Sequence, residues 1–195
     1  MLTIAWDVDD VLNNLMEAWL GEAWKPRHPE CALSYSEITE NPPHRLLGVP
    51  EFDYHSSLDA FRLSDGARVL KPSPVIAEWL RAFGGDYHHI ALTARPLESA
   101  SQAAEWTFRH FRTHIRAFAV VPARLPSDVP GYHRNKSDFI RWLGKVDILI
   151  DDSEENIVAA REIGIRGVLY PQPWNRATAS LQTVLESLNQ LVEAN

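Results

Sequence analysis

Three aspartates lie within four consecutive positions near the start of the chain, in the segment DVDD that follows the apolar run LTIAW. Asp7, Asp9 and Asp10 would repel one another there, and burying them adds a desolvation cost. A carboxylate can attack phosphorus and form an aspartyl phosphate. A second carboxylate two residues later could give a proton to the leaving oxygen and later take one from water. The residue types and their spacing therefore indicate phosphoryl chemistry.

Further polar residues follow two other strand-like runs. Thr93 and Arg95 come after HHIAL, and the pair Asp151–Asp152 comes after VDILI. Lys136 lies near the start of a short helical segment that precedes VDILI. A hydroxyl and an ammonium group can hold phosphoryl oxygens as negative charge builds on them in the transition state. Thr93 and Lys136 could supply these two groups.

Clustered carboxylates are tolerable if a hard cation lies between them. Mg²⁺ prefers oxygen ligands and keeps positions free for water and for a substrate phosphate. We therefore expect Mg²⁺ as the cofactor and a small phosphorylated molecule as the substrate.

Each residue also has a simpler interpretation when it is taken alone. Asp7 and Asp9 could form a solvated turn after a strand. The Asp151–Asp152 pair could serve only to cap a helix. Lys136 could be a solvated surface charge, in which case Arg134 could take its place. The occurrence of all these sites in one order along the chain favours the chemical interpretation.

The elements that must position these residues alternate along the chain. Helical patterns are separated by five strand-like runs, at residues 2–6, 88–93, 116–121, 146–150 and 165–170. Such alternation predicts a parallel sheet covered on both faces, a doubly wound α/β fold. In such sheets ligands bind beyond the carboxyl ends of the strands, where the polar residues lie.

Helix boundaries are marked by residues that favour caps. Ser73 and Pro74 predict the start of one helix, and Gly144 and Gly164 predict the ends of two others. The predicted apolar stripes are Ile76, Trp79, Leu80 and Phe83 in the helix after Ser73; Leu97, Ala100, Ala104, Phe108 and Phe111 in the helix after Pro96; and Leu181, Val184, Leu185, Leu188, Leu191 and Val192 in the last helix.

The periodicity weakens between Lys25 and Leu70, where prolines and scattered aromatic residues occur. We therefore predict a small unit at residues 14–70, inserted into an α/β core of residues 1–13 and 71–195. Arg62 and Arg68 of this unit could be solvated, or could provide a cation for a charged leaving group. We expect its aromatic side chains to form a local core rather than a base-stacking platform: Trp19, Trp24, Tyr35, Phe52, Tyr54 and Phe61.

The chain has 195 residues, a formal net charge of -7, and 45% hydrophobic and 23% charged residues. These values are typical of a globular protein with one main core. The negative charge argues against a nucleic-acid polymer or an anionic membrane as the main partner. The single cysteine, Cys31, excludes an internal disulfide, and no segment resembles a signal peptide or a membrane span. We therefore expect a cytoplasmic location.

In chain order, IAWDVDDVL, ALTAR, Lys136 and ILIDDS resemble the four motifs of the haloacid dehalogenase (HAD) superfamily of phosphotransferases. The resemblance spans the α/β part of the chain. It implies Asp7 as the nucleophile and Asp9 as the general acid/base. It also implies that Thr93, Lys136 and the backbone amide of Ala94 hold the phosphate.

The same resemblance implies that Mg²⁺ is bound by Asp7, the backbone carbonyl of Asp9 and the acidic pair. Asp152 would be the direct ligand, because it aligns with the aspartate of a Gly-Asp variant of the motif, and Asp151 would act through water. In the superfamily, an insertion between the first and second motifs is the position of small, mostly helical caps. Residues 14–70 would form such a cap.

Two positions depart from the superfamily pattern. Asp10 occupies a position that is frequently glycine, and Asn156 replaces a carboxylate that some members carry four residues after the metal-binding aspartate. The segment LYPQPWNR resembles the F-x-x-P-Y-N segment of 5'(3')-deoxyribonucleotidase-like members, and KPSPVIAEWL resembles their helix before the second motif. This second resemblance implies a nucleoside monophosphate as substrate.

Three other functions compete with a nucleotidase. A phosphatase for another small metabolite, such as a sugar phosphate, would use the same core chemistry. A non-enzymatic phosphoacceptor of the response-regulator type would carry its acidic pair first in the chain, whereas here Asp151–Asp152 come last. A catalytically silent binding module would not need the acid/base Asp9.

Overall fold

The computed structural model describes residues 1–125 and 127–193; in the last helix the side chains of residues 181 and 189–193 are not described. The strands are β1 (Thr3–Trp6), β2 (His88–Arg95), β3 (Ala117–Pro122), β4 (Ile148–Asp151) and β5 (Arg166–Leu169). The α-helices are α1 (Leu15–Trp19), α2 (Glu51–Arg62), α3 (Asp65–Arg68), α4 (Pro74–Phe83), α5 (Ala100–Phe111), α6 (Lys136–Leu143), α7 (Glu154–Glu162) and α8 (Leu181–Glu193).

The five strands form one parallel sheet in the order β3-β2-β1-β4-β5. β1 is central, and its last residue, Trp6, pairs with Ala91 of β2 and with Ile150 of β4. The segments that follow β1, β2 and β4 therefore reach the same edge of the sheet. The predicted doubly wound α/β fold is confirmed.

Both faces of the sheet are buried in hydrophobic clusters, which explains why the strands are continuous apolar runs. Ile4 and Trp6 of β1 pack on one face, in the cluster that includes residues of α4 and α8. Ala5, which lies between them, packs on the other face with residues of α6 and α7. This alternation follows from the period of two in a strand.

Most predicted helix ends agree with the structure, but two apolar stripes differ. Ser73 precedes α4 with Pro74 as its first residue, and Gly144 ends α6 in the left-handed conformation. Phe83 was predicted to be buried, but it is the last residue of α4 and is 41% exposed. After Pro96 a short turn precedes α5. Phe111 is buried as predicted, but Leu97 is exposed and the other predicted positions are only partly buried; the remaining buried side chains of α5 are Ala103, Trp106 and Thr107.

Residues 14–70 contain α1, α2 and α3 and have a hydrophobic cluster of their own. Four of the six aromatic residues expected in this local core are buried: Trp19, Trp24, Tyr54 and Phe61. Tyr35 packs at the edge of this cluster. Phe52 is 77% exposed, so the prediction for this residue is wrong.

The last helix, α8, covers one face of the sheet beside α4. Val184, Leu185 and Leu188 are buried, as predicted. The remaining predicted positions, Leu181, Leu191 and Val192, have side chains that lie outside the described part. Among the helices of residues 1–125 and 127–193, none is long and apolar enough to cross a membrane.

Candidate active site

Asp7 directly follows β1 and is buried at the carboxyl edge of the sheet. Its backbone N–H donates to the carbonyl of Ile150 at 2.9 Å, which ties it to β4. Its Oδ1 accepts a hydrogen bond from the backbone N–H of Val8 at 2.7 Å and lies 2.8 Å from Nζ of Lys136. Burial raises the pKa of Asp7 to about 7, against the opposing effect of Lys136. These contacts fix Oδ1 and thereby set the direction of Oδ2.

Lys136 is the first residue of α6 and is fully buried between two carboxylates. Its Nζ lies 2.6 Å from Oδ2 of Asp151, in addition to the contact with Asp7. Although burial opposes this, the two carboxylates raise the pKa of Lys136 above its usual value. The side chain is therefore a fixed cation. Arg134 does not take its place, because it is exposed and pairs with Asp138.

Asp151 is surrounded by donors from the protein. Its oxygens accept hydrogen bonds from the backbone N–H of Ser153 at 2.9 Å and from Nδ2 of Asn156 at 3.0 and 3.2 Å, as well as from Lys136. Ser153 also caps α7 by accepting from the N–H of Asn156. Asn156, one of the two positions that depart from the superfamily pattern, thus holds Asp151 in place.

Asp152 has fewer partners than Asp151. Its Oδ2 accepts a hydrogen bond from Nε1 of Trp174 at 2.8 Å, and its backbone carbonyl accepts one from Nδ2 of Asn175 at 2.8 Å. Burial raises the pKa of Asp152 well above its usual value, and the charges of Asp151 and Asp7 act in the same direction. This contact of Trp174 is not predicted from the sequence, although the segment LYPQPWNR that contains it resembles one in 5'(3')-deoxyribonucleotidase-like proteins.

The side chain of Thr93 is fully buried near the carboxyl end of β2. Among the described residues its Oγ1 has no hydrogen-bond partner. A buried hydroxyl without a partner is unfavourable, and this one is free to donate to an oxygen of a ligand in the pocket. Ala94, the next residue, lines the same pocket.

Asp7, Asp151 and Asp152 each place one carboxylate oxygen within 4.8 Å of the other two. Three buried carboxylates at this spacing form a set of oxygen donors that suits Mg²⁺. A divalent cation would also offset the burial and the neighbouring negative charges that together raise the pKa of Asp152. The residues present therefore fit the expected metal.

The side chain of Asp9 lies between two arginines. Its Oδ2 is 3.1 Å from Nη2 of Arg62, and its Oδ1 pairs with Arg95. Although burial opposes this, Arg95 and Arg62 hold the pKa of Asp9 below its usual value. The side chain of Arg62 is only 11% exposed and also pairs with Asp59, so the suggestion that it is solvated is wrong.

Asp10 turns the chain from β1 toward α1. It has a positive φ of 60°, a left-handed conformation that glycine favours and aspartate tolerates. This geometry explains the frequent glycine of the superfamily pattern. Its Oδ1 accepts a hydrogen bond from the N–H of Met16 at 2.8 Å, and Oδ1 of Asn13 accepts one from the N–H of Leu15 at 3.0 Å. These bonds satisfy free donors of the first turn of α1.

All the predicted site residues line one pocket of about 250 Å³. The carboxylates, Thr93, Ala94 and Lys136 form its floor. The opposite wall comes mainly from residues 14–70, with the side chains Met16, Asn41, Tyr54, His55, Leu58 and Arg62. Arg124, which follows β3, also lines the pocket and pairs with Asp59 of α2.

The fold and the site geometry can be compared with known proteins. The sequence matches no protein-family model, and it matches no curated protein. Solved structures do match. A protein described as a beta-phosphoglucomutase from Thermotoga maritima has a TM-score of 0.61 and 19% identity, with 98% of this chain and 100% of that chain covered.

Two further structures show the same similarity over almost their whole length. A HAD-type hydrolase from Bacillus subtilis, solved with bound magnesium, has a TM-score of 0.56 and 12% identity, with 98% of each chain covered. Protein tyrosine kinase A of Mycobacterium tuberculosis has a TM-score of 0.64 and 14% identity, with 95% of this chain and 97% of that chain covered. Several other matches are described as haloacid dehalogenase-like hydrolases. The chain therefore has the HAD-like fold.

Proposed function

We propose that the protein is a Mg²⁺-dependent phosphomonoesterase that acts through an aspartyl-phosphate intermediate on Asp7. One observation carries this proposal: Lys136, Asp151 and Asp152 surround the Asp7 carboxylate at the sheet edge, beside the unpaired hydroxyl of Thr93. The HAD-like fold supports it by analogy only, because one fold can host different activities.

In the first half-reaction, Oδ2 of Asp7 attacks the substrate phosphorus and the bond from phosphorus to the leaving oxygen breaks. Oδ1 is held by Val8 and Lys136, so the carboxylate is already oriented when the substrate binds. Asp9 gives its proton to the leaving oxygen. Because Arg62 and Arg95 hold Asp9 ionised in the free protein, Asp9 must first release at least one of them and take up a proton from solvent.

In the second half-reaction, water attacks the phosphorus of the aspartyl phosphate and Asp9 takes the proton of that water. The bond between phosphorus and Asp7 breaks, and inorganic phosphate leaves. Thr93 Oγ1, the N–H of Ala94 and Lys136 Nζ donate to the phosphoryl oxygens in both steps. Their positive character opposes the charge that accumulates in each transition state.

Asp7, Asp152 and the backbone carbonyl of Asp9 would hold Mg²⁺, with Asp151 linked through water. The cation would neutralise phosphoryl charge and reduce the repulsion between Asp7 and the phosphate. Asp151 already has protein donors on both oxygens, which supports its indirect role.

We propose a nucleoside monophosphate as the substrate and residues 14–70 as a cap on a core of residues 1–13 and 71–195. The separate hydrophobic cluster of residues 14–70 supports this division. Tyr54, Met16 and Leu58 give the pocket an apolar wall beside the polar floor, which suits an organic leaving group. The acidic chain and its single cysteine further support a cytoplasmic enzyme without a nucleic-acid polymer as partner.

A screen for phosphate release tests the proposal. The purified protein would be incubated with MgCl₂ and with nucleoside monophosphates, sugar phosphates and an aryl phosphate, and then with the same substrates and a chelator. We expect Mg²⁺-dependent release that is fastest with a nucleoside monophosphate and absent in Asp7→Asn. Faster phosphate release from a sugar phosphate would contradict the nucleoside monophosphate as substrate and favour a sugar phosphatase. No release from any compound would contradict the enzymatic function.

A further inference from the structure

We propose that Trp174 is a positioning residue for the metal site, whose indole N–H fixes one oxygen of Asp152 so that the other is directed to the cation. The inference rests on the proposed function, because it takes Asp152 as a metal ligand. It gives a role to a residue of the segment LYPQPWNR. The resemblance of this segment to deoxyribonucleotidase-like proteins assigns no role to its individual residues.

The hydrogen bond is well placed for this role. Nε1 of Trp174 lies 2.8 Å from Oδ2 of Asp152, and within the described chain no donor contacts Oδ1. An N–H bond to an ionised carboxylate is stronger than a bond between neutral groups. Because the indole is neutral, it leaves the full negative charge of Asp152 available to a cation. An arginine in its place would compete with the metal.

The loop that carries Trp174 is itself fixed to the residue that it orients. Nδ2 of Asn175 donates to the carbonyl of Asp152 at 2.8 Å and to the carbonyl of Tyr170 at 2.7 Å. Its Oδ1 accepts hydrogen bonds from the N–H groups of Gln172 and Ala177. Asn175 therefore holds the turn after β5 against the end of β4 and fixes the distance between Trp174 and Asp152.

The indole ring is also held from the side of the inserted segment. The ring of Tyr35 meets it edge to face, with centroids 6.0 Å apart and planes at 89°. The hydroxyl of Tyr35 donates to Oε1 of Gln172, whose Nε2 donates to the carbonyl of Asp10, each at 2.5 Å. The ring cannot turn without disturbing these contacts.

Fixing Asp152 matters because its neighbours repel it. Asp7 and Asp151 lie close enough for all three carboxylates to share one cation. Without the indole donor, Asp152 could rotate away from them before metal binds, and metal binding would then have to restore its orientation. Groups that orient ligands in this way commonly contribute about 10- to 100-fold to metal affinity.

The test compares Mg²⁺ binding to the wild type and to Trp174→Phe, by calorimetric titration of the metal-free proteins with MgCl₂. We expect the variant to bind Mg²⁺ at least about tenfold more weakly. Its kcat at saturating Mg²⁺ should stay close to that of the wild type, so that the loss appears in the Mg²⁺ activation constant. Trp142→Phe is the matched control, because Trp142 is 69% exposed on α6, and it should leave both values unchanged.

A second substitution covers the case in which Trp174→Phe does not fold. Replacement of Trp174 by 3-benzothienylalanine keeps the shape of the ring and exchanges the N–H for sulfur, and it should weaken Mg²⁺ binding to the same extent. Equal affinity of this protein and the wild type would overturn the role of Trp174 alone. A wild type that binds no Mg²⁺ would overturn the proposed metal site, and the role of Trp174 with it.

Discussion

Arg62 of α2 donates a hydrogen bond to Oδ2 of Asp9 across 3.1 Å, and so joins residues 14–70 directly to the segment that follows β1. Arg95 occupies the other oxygen of the same carboxylate. The second donor of Arg62 binds Asp59 at 2.8 Å, within α2 itself. The contact between Arg62 and Asp9 therefore does two things: it keeps Asp9 ionised, and it fastens residues 14–70 in place as a wall of the pocket.

Replacing Arg62 should therefore destabilise the whole chain. We expect Arg62→Ala to lower the free energy of unfolding by about 2 kcal/mol, because a buried carboxylate loses a charged donor and Asp59 loses its partner. Arg62→Lys keeps the charge without the planar fork and should lose less. Urea unfolding followed by circular dichroism measures both variants. An Arg62→Ala protein as stable as the wild type would show that the contact between Arg62 and Asp9 does not help to hold residues 14–70 against the rest of the chain.

Asp9 should matter most for substrates with poor leaving groups. We expect Asp9→Asn to slow turnover of an alkyl phosphate by about 10²- to 10⁴-fold, because the departing oxygen then lacks its proton donor. An aryl phosphate has a leaving group that needs less protonation, and the first half-reaction should slow much less. Pre-steady-state release of the alcohol or phenol measures that step separately. An equal loss for both substrates would contradict the acid role of Asp9.

The positions of the floor residues could be predicted because their signals are local. Asp7, Thr93 and Asp151 each lie at the end of a short apolar run. In a parallel sheet such ends necessarily meet at one edge. Lys136 could be placed because Gly144 marks the end of its short helix. Each position follows from the local sequence of one strand or helix, together with the general rule that parallel strands end at the same edge of a sheet.

The contacts made by Arg62 and Trp174 could not be predicted in this way. Arg62 lies in a segment without a clear period, and its partner Asp9 is distant in sequence. Trp174 reaches Asp152 only because Asn175 folds the loop back onto β4. Both contacts depend on how separate elements pack, and no local pattern of residues encodes that. The exposure of Phe83 could not be predicted either, because the apolar pattern of a helix does not show at which residue the helix extends beyond the core.

Thr93 offers a test that separates ligand binding from stability. Its Oγ1 is buried and lacks a partner within the described chain, so Thr93→Val removes no internal hydrogen bond. We expect the variant to be as stable as the wild type, or more stable by about 1 kcal/mol. Its inhibition by inorganic phosphate should be about tenfold weaker, because one donor to the phosphoryl oxygens is lost.

Thr93→Ser is the matched control for this substitution. It keeps the hydroxyl and removes only a methyl group, so inhibition by phosphate should remain close to that of the wild type. Thermal unfolding and phosphate inhibition of turnover measure the two effects independently. A Thr93→Val protein that is much less stable, or that binds phosphate normally, would contradict the assignment of Oγ1 as a donor to the ligand.

His89 gives the fold a pH dependence that is independent of the site. Its Nδ1 accepts a hydrogen bond from Nε1 of Trp6 at 3.0 Å, and its Nε2 lies 2.9 Å from the carbonyl of Gly84. This arrangement requires the neutral ring with the proton on Nε2. Burial lowers its pKa from 6.5 to about 4, with His114 and His88 acting in the same direction.

Because the folded state holds His89 neutral, the unfolded chain binds a proton at higher pH than the folded chain does. The stabilisation is complete above pH 6.5 and falls as the pH is lowered toward 4, by on the order of 3 kcal/mol in total. His89→Gln keeps an acceptor for Trp6 and a donor for Gly84 without a titrating ring, so its stability should fall less steeply over that interval. Urea unfolding at several pH values would measure the difference, with the exposed His88→Gln as control. Parallel pH profiles for His89→Gln and the wild type would show that His89 does not titrate on unfolding.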